Sequence, residues 1–258
     1  MISKLRNVLR PARPAPRAPA GWRLYAVGDL HGRLDLFEAL LSEIACDHAG
    51  RPDCSAEIIL LGDLIDRGPD SAGLLDRLTR SPPPWAAWTI IRGNHEQVLL
   101  DILAETDRQY RDALIEDWLS FGGAETLASY RAPAPLLDAD YPSAVAEWIA
   151  DELPLAHVDL LRAAPLSVRR GDYLFVHAGV RPEVPLHMQT PRDLLWIREE
   201  FLRSPRDHGA TIVHGHTPTA EPELRANRIG IDTGAYATGV LTALALEGET
   251  QRVIQVRG

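Results

Sequence analysis

The sequence predicts an α/β fold whose buried strands end in chemically reactive side chains. Short apolar runs recur along the chain, each closed by glycine or a polar residue: "RLYAVGDLHG", "EIILLGDLIDRG", "WTIIRGNHE", "YLFVHAG" and "TIVHGHT". Such runs are typical of buried strands. Apolar residues at helical spacing separate the first three runs. A strand, helix, strand, helix, strand order is typical of parallel βαβ units, so the first half of the chain is predicted to be α/β.

The first predicted helix has the clearest spacing, and its apolar positions are Leu34, Phe37, Leu40, Leu41 and Ile44. The second is shorter and has Leu74, Leu75 and Leu78. Residues at these intervals share one helical face, which we expect to pack on the sheet.

The middle of the chain, about 97–165, changes to helical stretches with proline breaks, including "DALIEDWLSFGGAETLASY" and "AVAEWIADEL". We interpret it as a helical insertion in which Trp118, Leu119 and Leu127 are core residues rather than functional ones. After about 230, "RIGIDTGAYATGVLTALALEG" mixes small and β-branched residues with glycine, as strands and tight turns do. We expect these closing strands to form a second sheet.

Length and composition suit one large α/β domain with a substantial core, or at most two small domains, since the chain has 258 residues of which 45% are hydrophobic. No apolar run approaches the roughly 20 residues of a membrane-spanning helix, so no transmembrane segment is predicted. Cys46 and Cys54 are too few for a disulfide framework and lack metal-ligand spacing. We interpret them as semi-buried residues of a cytoplasmic protein.

The N-terminus, "MISKLRNVLRPARPAPRAPAGWR", contains six basic residues and no acidic one. We expect residues 1–21 to be a disordered, basic, proline-rich segment and 22–258 to be the folded domain. The alternative is a short basic helix that touches an anionic surface or a partner. The rest of the chain is more acidic than the formal net charge of −9. Such a surface repels phosphate backbones and argues against a nucleic acid duplex as partner.

Oxygen and nitrogen donors dominate the predicted strand ends. The side chains there are Asp29, His31, Asp63, Asn94, His95, His177, His214 and His216. Loops at the carboxyl ends of strands are where α/β folds place ligand sites. Carboxylate and imidazole donors without thiolate suit divalent Mn, Fe, Zn or Co. The sequence therefore predicts a metal site at these ends.

The ordered set "GDLHG", "GDLIDRG", "GNHE", "VHAG" and "GHT" resembles the calcineurin-like metallophosphoesterases. Within them it resembles the phosphoprotein phosphatase branch, which includes bacterial and bacteriophage Ser/Thr protein phosphatases. The likeness extends to "LLWIREEF" and "IDTGAYATG", so it spans about 22–240. It implies a β-sandwich of two mixed sheets flanked by helices, with a two-metal site at the sheet edges and the helical insertion after the third motif.

The resemblance also implies roles for single residues. Asp29 and His31 would hold the first ion together with Asp63, which bridges to the second. Asn94, His177 and His216 would complete the shell of the second ion. The metal set is thus Asp29, His31, Asp63, Asn94, His177 and His216.

The remaining roles concern the phosphate and its leaving group. His95 resembles the general acid beside the metals, and Asp66 resembles the carboxylate that orients it. Arg67 and Arg198 resemble the arginines that clamp phosphate, where Asn94 also contributes. A guanidinium group matches phosphate oxygens in bidentate geometry, which a lysine does not reproduce. An imidazolium that a carboxylate orients can protonate a leaving alkoxide near neutral pH.

Three further residues lie in or beside these motifs. His214 lies two residues before His216, and either could face the site, but the family places the ligand on the histidine of "GHT", which favours His216. Tyr236 could reach the phosphate or be structural. We expect Trp196 to pack and to position Arg198.

The predicted activity is that of a two-metal-dependent phosphatase in the cytoplasm, acting by direct attack of a hydroxide that bridges two divalent ions. We expect manganese, with iron or zinc as alternatives. The expected substrate is phosphoserine or phosphothreonine in a phosphoprotein, with phosphotyrosine or a phosphorylated small molecule as alternatives. No oligomeric state is predicted.

The first alternative activity is hydrolysis of dinucleoside polyphosphates of the diadenosine tetraphosphate type. Symmetrical hydrolases of that type often lack the second aspartate of "GDLIDRG", whereas this chain has Asp66. The second alternative is a non-catalytic phosphate-binding protein. We disfavour it because every position in the set carries a competent residue.

Overall fold

The computed structural model describes residues 14–138 and 140–258. The first half alternates strands and helices: β1 (Trp22–Val27), α1 (Leu34–Ala49), β2 (Ser55–Leu60), α2 (Ser71–Thr79) and β3 (Ala86–Ile90). Five helices follow: α3 (Asn94–Ala104), α4 (Arg108–Trp118), α5 (Ala124–Ser129), α6 (Pro142–Glu152) and α7 (Leu155–Ala163). These five helices are the helical insertion that the pattern predicts at about 97–165.

The second half begins with β4 (Ser167–Arg170), β5 (Tyr173–Val176), α8 (Pro191–Trp196) and α9 (Glu199–Leu202). It continues with β6 (Thr211–His214), β7 (Glu223–Leu224), β8 (Arg228–Gly230) and α10 (Ala235–Thr238). It closes with β9 (Val240–Glu247) and β10 (Thr250–Arg257). No helix among the described residues is both long enough and apolar enough to cross a membrane.

The strands form two five-stranded sheets, in the orders β10-β9-β1-β2-β3 and β4-β5-β6-β8-β7. Both sheets are mixed, because β1, β2 and β3 are parallel while β9 and β10 are antiparallel to their neighbours. In the second sheet β5, β6 and β8 are parallel, and β4 and β7 are antiparallel edge strands. The predicted α/β sandwich of two mixed sheets is confirmed.

The closing stretch divides between the two sheets, so the expectation is only partly right. β8, at its start, lies in the second sheet, whereas β9 and β10 do not. β9 pairs with β1 from Arg23↔Glu247 to Val27↔Ala243, and β10 continues the first sheet outward from β9. β4 to β8 make up the second sheet. The composition of a strand predicts that it pairs but not with which partner, since partner choice depends on contacts distant in sequence.

Side-chain alternation along β1 explains the layers. Tyr25 and Val27 pack in a core together with α1 and the helices of the insertion. Leu24 and Ala26 face the opposite side of the sheet and pack in a second core, which the first sheet shares with the second sheet. The two sides are possible because successive strand residues point to opposite faces. A third core joins the second sheet to α8 and α9 around Phe201. The order is helices, sheet, sheet, helices, and the parallel strand ends of both sheets lie at one edge.

The N-terminal segment expected at 1–21 divides into two parts. Residues 1–13, with the candidate basic helix, lie outside the described residues. Residues 14–21 pack on the domain: the amide of Ala18 donates to the carbonyl of Gly248 at 2.9 Å, and the hydroxyl of Tyr173 donates to the carbonyl of Pro16 at 3.2 Å. In this second part the structure shows contacts where the composition predicts disorder. Cys46 and Cys54 are both free. Cys54 is half-buried as expected, whereas Cys46 is exposed, so the expectation is wrong for Cys46.

Candidate metal and phosphate site

Strand ends of both sheets deliver the predicted side chains to one place. Asp29, Asp63 and Asn94 follow β1, β2 and β3 of the first sheet, while His177 and His216 follow β5 and β6 of the second. Two hydrogen bonds join the sheets here: the amide of His216 donates to Oδ2 of Asp29 at 2.9 Å, and Nδ1 of His177 donates to the carbonyl of Leu61 at 2.9 Å.

The loops that carry the site are conformationally strained. Among the described residues, seven that are not glycine have positive φ, and five of these are His31, Asp63, Asp66, Arg67 and His216. A left-handed conformation costs a residue with a side chain about 1–3 kcal/mol. Strain of this kind is typical of functional sites, where the surrounding structure holds side chains in unusual directions.

One group of possible metal ligands joins Asp63 to His177 and His216. Nε2 of His177 lies 3.1 Å from Nδ1 of His216, 3.3 Å from Oδ1 of Asp63 and 2.8 Å from Oδ1 of Asn94. Burial lowers the pKa of His177 and lowers that of His216 to about 2, so both rings are neutral. Because a neutral imidazole has one N–H, and Nδ1 of His177 uses it on Leu61, Nε2 is an acceptor.

That nitrogen therefore faces two oxygens that are also acceptors. Acceptor atoms repel one another at these distances unless a cation lies among them. The imidazole, carboxylate and amide donors also match what a borderline divalent metal takes. The residues present thus fit an ion at this place.

A second group joins Asp63 to His31 and His95. Nδ1 of His31 donates to the carbonyl of Ile65 at 2.8 Å, and Nε2 lies 3.5 Å from Oδ2 of Asp63. Burial lowers the pKa of His31 to about 3, so this ring is neutral as well. Asp63 thus offers one oxygen to each group, which is the arrangement that the resemblance implies for a bridging carboxylate.

Asp29 lies outside both groups, but its chemistry fits a nearby cation. Its Oδ1 is buried and has no hydrogen-bond partner in the described part of the chain. Burial raises the pKa of Asp29 well above its ordinary value, and the charges of Asp232 and Asp63 add to the effect. A buried carboxylate with a free oxygen beside other acids is costly without a positive charge.

His95 and Asp66 are paired as expected, with Nδ1 of His95 2.7 Å from Oδ2 of Asp66. Burial lowers the pKa of His95, but the charge of Asp63 and the hydrogen bond with Asp66 outweigh it, and the net pKa is raised. A raised pKa keeps the imidazole protonated closer to neutral pH. The pair can therefore donate a proton into the site.

Arg67 and Arg198 approach the two groups separately. Arg67 donates from Nη1 to Nε2 of His31 at 3.0 Å, and Arg198 donates from Nε to Nε2 of His216 at 3.0 Å. Each guanidinium borders one group of ligands, so a phosphate between the groups would meet both.

Three exposed aromatic rings surround the site, each against a different histidine. Tyr236 lies 5.2 Å from the ring of His31, Phe121 lies 6.2 Å from that of His95, and Trp196 lies 6.4 Å from that of His216. Trp196 is 42% exposed, so it does not pack in the core, and its expected positioning of Arg198 stays a prediction. The exposed ring borders the site instead.

His214 and His216 have separate surroundings. His214 is buried beside Phe201, at 5.1 Å between ring centroids, and its Nδ1 lies 3.1 Å from the carbonyl of Gly215. His216, which is the histidine that the sequence favours, joins the group with Asp63. His214 belongs to neither group.

Two buried acids at the site were missed in the sequence. Glu96 accepts the amides of Asp63 at 2.9 Å and Leu64 at 2.7 Å and so holds the loop after β2. Asp232 follows β8 and accepts the amide of Gly234 at 2.8 Å. Burial raises the pKa of Glu96 to about 7 and that of Asp232 to about 6. The signals were available, since Glu96 closes "GNHE" and Asp232 follows an apolar run.

A family model described as calcineurin-like phosphoesterase matches residues 23–241. The chain belongs to the calcineurin-like phosphoesterases. Membership confirms the resemblance and makes the protein a metal-dependent hydrolase of phosphate esters. The identity of the metal and the substrate are separate questions.

Named relatives of this phosphoesterase divide between two activities. It is 31% identical over 250 residues to "Serine/threonine-protein phosphatase 1" of Salmonella typhimurium, a match that covers 93% of this chain and 100% of the relative. It is 33% identical over 159 residues to a symmetrical bis(5'-nucleosyl)-tetraphosphatase of Dechloromonas aromatica, over 62% of this chain and 44% of the relative.

A solved structure of a cold-active protein tyrosine phosphatase has a similar fold, with a TM-score of 0.58 and 16% identity. The match covers 93% of this chain and 80% of that one. At this identity the likeness concerns the fold alone.

Proposed function

We propose that this phosphoesterase hydrolyses phosphomonoesters and that its substrates are proteins phosphorylated on serine or threonine. The observation that carries the proposal is the 2.7 Å contact between Nδ1 of His95 and Oδ2 of Asp66. A serine alkoxide is a poor leaving group and needs an oriented proton donor, whereas a nucleotide departs as a stabilised phosphate. An oriented imidazole therefore suits an alkyl ester.

The proposed ligands are the six of the metal set, with Asp63 shared between two divalent ions. When bound, two such ions lower the pKa of a water molecule and neutralise charge on the transferring phosphoryl oxygens. We propose manganese because its preference for oxygen and imidazole donors matches the set, which iron and zinc also fit. Arg67 and Arg198 would hold the phosphoryl oxygens, and His95 would protonate the leaving oxygen through Nε2.

A groove beside the site supports the proposal that the substrate is a protein. It has a volume of about 700 Å³ and lies between α3 and α8, where Leu166, Pro191, Leu195 and Trp196 form its apolar lining. Trp196 connects it to the site through His216. A groove of this size and character can hold the residues that flank a phosphoserine. The relative in Salmonella typhimurium that matches along its whole length also bears the name of a Ser/Thr protein phosphatase.

The second candidate is a dinucleoside polyphosphate, as in the name of the Dechloromonas aromatica relative. The exposed rings of Tyr236, Phe121 and Trp196 favour it, since a nucleobase stacks on aromatic rings. These rings would also contact apolar side chains of a peptide, so they discriminate less than the acid pair does.

The test is kcat/KM of the manganese-loaded protein on a phosphoserine peptide and on diadenosine tetraphosphate in one buffer. We expect the peptide to be preferred by more than about tenfold, the effect of about 1.4 kcal/mol in transition-state stabilisation. A preference for the dinucleotide would contradict the proposal and assign the acid pair to a nucleotide hydrolase.

A further inference from the structure

Asp66 has a fully satisfied carboxylate in a fully buried position. Its Oδ2 accepts from Nδ1 of His95 at 2.7 Å and from Nε1 of Trp118 at 2.9 Å, and its Oδ1 accepts from the hydroxyl of Thr126 at 2.7 Å. None of the side chain of Asp66 is exposed. Three donors from three parts of the chain thus determine the orientation of one carboxylate.

Thr126 also holds the backbone of the same residue. The amide of Asp66 donates to the hydroxyl oxygen of Thr126 at 2.8 Å, and Oγ of Ser71 lies 3.1 Å from that amide. A threonine hydroxyl has one hydrogen to give and two lone pairs to accept with. Here it gives the hydrogen to the carboxylate and accepts from the amide, which stabilises the left-handed φ of 72° at Asp66.

Both added donors come from the helical insertion. Trp118 ends α4 and Thr126 lies in α5, and in one continuous helix eight residues would separate them by about 12 Å. The backbone is not helical at Phe121 and Gly122, with φ of 113° at Gly122, so a kinked turn between α4 and α5 interrupts the helix. The carbonyl of Gly122 accepts the amide of Arg67 at 3.0 Å. The turn lets both donors reach one carboxylate and anchors the insertion beside the phosphate arginine.

We propose that Trp118 and Thr126 are positioning residues for proton transfer to the leaving group. They hold the carboxylate of Asp66 so that it fixes Nδ1 of His95 and directs Nε2 of that ring into the site. The inference rests on the proposed function, because it needs His95 as the proton donor. It assigns part of the helical insertion to catalysis through Asp66, where the sequence pattern indicates only core packing.

The consequence is a dependence on the leaving group. An alkyl phosphate needs a proton at its leaving oxygen, while p-nitrophenyl phosphate needs little, because nitrophenolate is a good leaving group. Loss of a positioning residue therefore slows the first substrate more than the second. Loss of packing alone slows both equally or lowers only the stability.

The test compares Thr126→Val, Thr126→Ser and Trp118→Phe in the full manganese-loaded chain, with Leu127→Ala as the packing control. Leu127 is fully buried in the insertion, and its side chain has no atom that can form a hydrogen bond, so Leu127→Ala removes packing alone. The measurements are kcat on a phosphoserine peptide and on p-nitrophenyl phosphate, bound manganese per chain, and Tm.

We expect Thr126→Val to lower kcat on the peptide about tenfold, because one hydrogen bond to a charged group is lost. The same variant should lower kcat on p-nitrophenyl phosphate less than about twofold. Thr126→Ser restores the hydroxyl and recovers the peptide rate. Trp118→Phe keeps a buried ring without its N–H and shifts the ratio in the same direction. Leu127→Ala lowers Tm and leaves the ratio unchanged.

Equal losses on both substrates in Thr126→Val and Trp118→Phe overturn the inference, and so does a failure of Thr126→Ser to recover the peptide rate. The variant His95→Asn distinguishes a failure of the positioning role from a failure of the proposed function. If His95→Asn affects both substrates equally, the proton-donor role fails and the inference fails with it. If only His95→Asn is selective for the peptide, the positioning role alone fails.

Discussion

The backbone amide of His216 donates to Oδ2 of Asp29 at 2.9 Å, and this hydrogen bond joins the end of β6 in one sheet to the end of β1 in the other. The other oxygen of Asp29, Oδ1, is buried and without a partner in the described part of the chain. One oxygen of this carboxylate thus links the two sheets, and the other is free to bind the proposed cation. The site is complete only when the two sheets are packed together.

This division predicts how metal content responds to loss of charge. We expect Asp29→Asn to weaken the binding of one of the two proposed ions. Asp63→Asn should weaken the binding of both, because Asp63 is the residue that the two groups of ligands share. Each affected site should lose more than about a hundredfold in affinity, since even outer partners of metal ligands contribute about 10–100-fold. Isothermal titration calorimetry with Mn²⁺ measures the affinity of each site, and elemental analysis measures the number of ions bound per chain. Two ions of unchanged affinity in Asp63→Asn would rule out the shared carboxylate.

Arg198 borders the group that joins Asp63 to His177 and His216, and its planar guanidinium is predicted to be required for phosphate binding. Arg198→Lys keeps the charge but loses the planar pair of donors that matches phosphate. We expect inhibition by inorganic phosphate to weaken about tenfold, with KM rising to match. Arg203→Lys, at an exposed position after α9, is the matched control and should not change either value. Unchanged phosphate inhibition in Arg198→Lys would place the phosphate elsewhere.

Gly122 predicts a link between the helical insertion and Arg67, which we propose as a phosphate ligand. An added Cβ would lie 2.6 Å from the backbone nitrogen of Arg67, at a φ of 113°. Gly209 also has positive φ, 79°, but its Cβ would meet nothing within 4 Å. Both alanine variants bear the backbone cost of about 1 kcal/mol or more. Only Gly122→Ala should also lower kcat/KM, and equal kinetics in the two variants would show that Arg67 does not depend on this turn.

Asp47 predicts a pH-dependent contribution to stability. It accepts from the hydroxyl of Tyr25 at 2.8 Å, from Nη2 of Arg252 at 2.9 Å and from Nε of Arg51 at 3.1 Å. Burial alone would raise the pKa of this carboxyl, but the hydrogen bonds from Arg252, Tyr25 and Arg51 outweigh it and hold the pKa well below its ordinary value. The charged form is therefore the one that the fold stabilises.

A carboxyl whose pKa is lower in the folded chain stabilises the fold above its unfolded pKa of about 4, and the contribution is lost as pH falls toward the folded value. Asp47→Asn should lower Tm by at least about 2–4 °C at pH 7, the shift that 1 kcal/mol produces in a chain of this size. The deficit should narrow as pH approaches 3. Asp53→Asn, an exposed site, is the control. A deficit that stays constant between pH 7 and 3 would contradict the role of the charge.

Trp118 shows how far pattern reasoning reaches. Its helical spacing predicts a core residue, and the side chain is fully buried as expected. The pattern does not show that the indole N–H donates to Asp66 at 2.9 Å, because that contact spans 52 positions of sequence. Periodicity predicts burial on one face but not which distant polar atom a buried ring meets.

Trp196 and the closing strands show the same limit. Trp196 is a large apolar residue that we expected to pack, but it borders a groove. The composition of β9 and β10 correctly predicts strands, but these strands extend the first sheet and not the second. Exposure and strand pairing both depend on which surfaces meet after folding. Local composition carries no information about that choice.

Local pattern decides the strands, the turns that end them and the donor types that those turns carry, since each depends on residues a few positions apart. The ordered motifs of the sequence therefore indicate the family and the metal chemistry on their own. Tertiary structure alone decides that Asp63 faces two groups of ligands, that Glu96 holds the loop of Asp63, and that the helical insertion supplies two donors to Asp66. The reason is physical: these contacts exist only when separate sheets and helices pack and exclude water, which makes each buried polar atom take a partner.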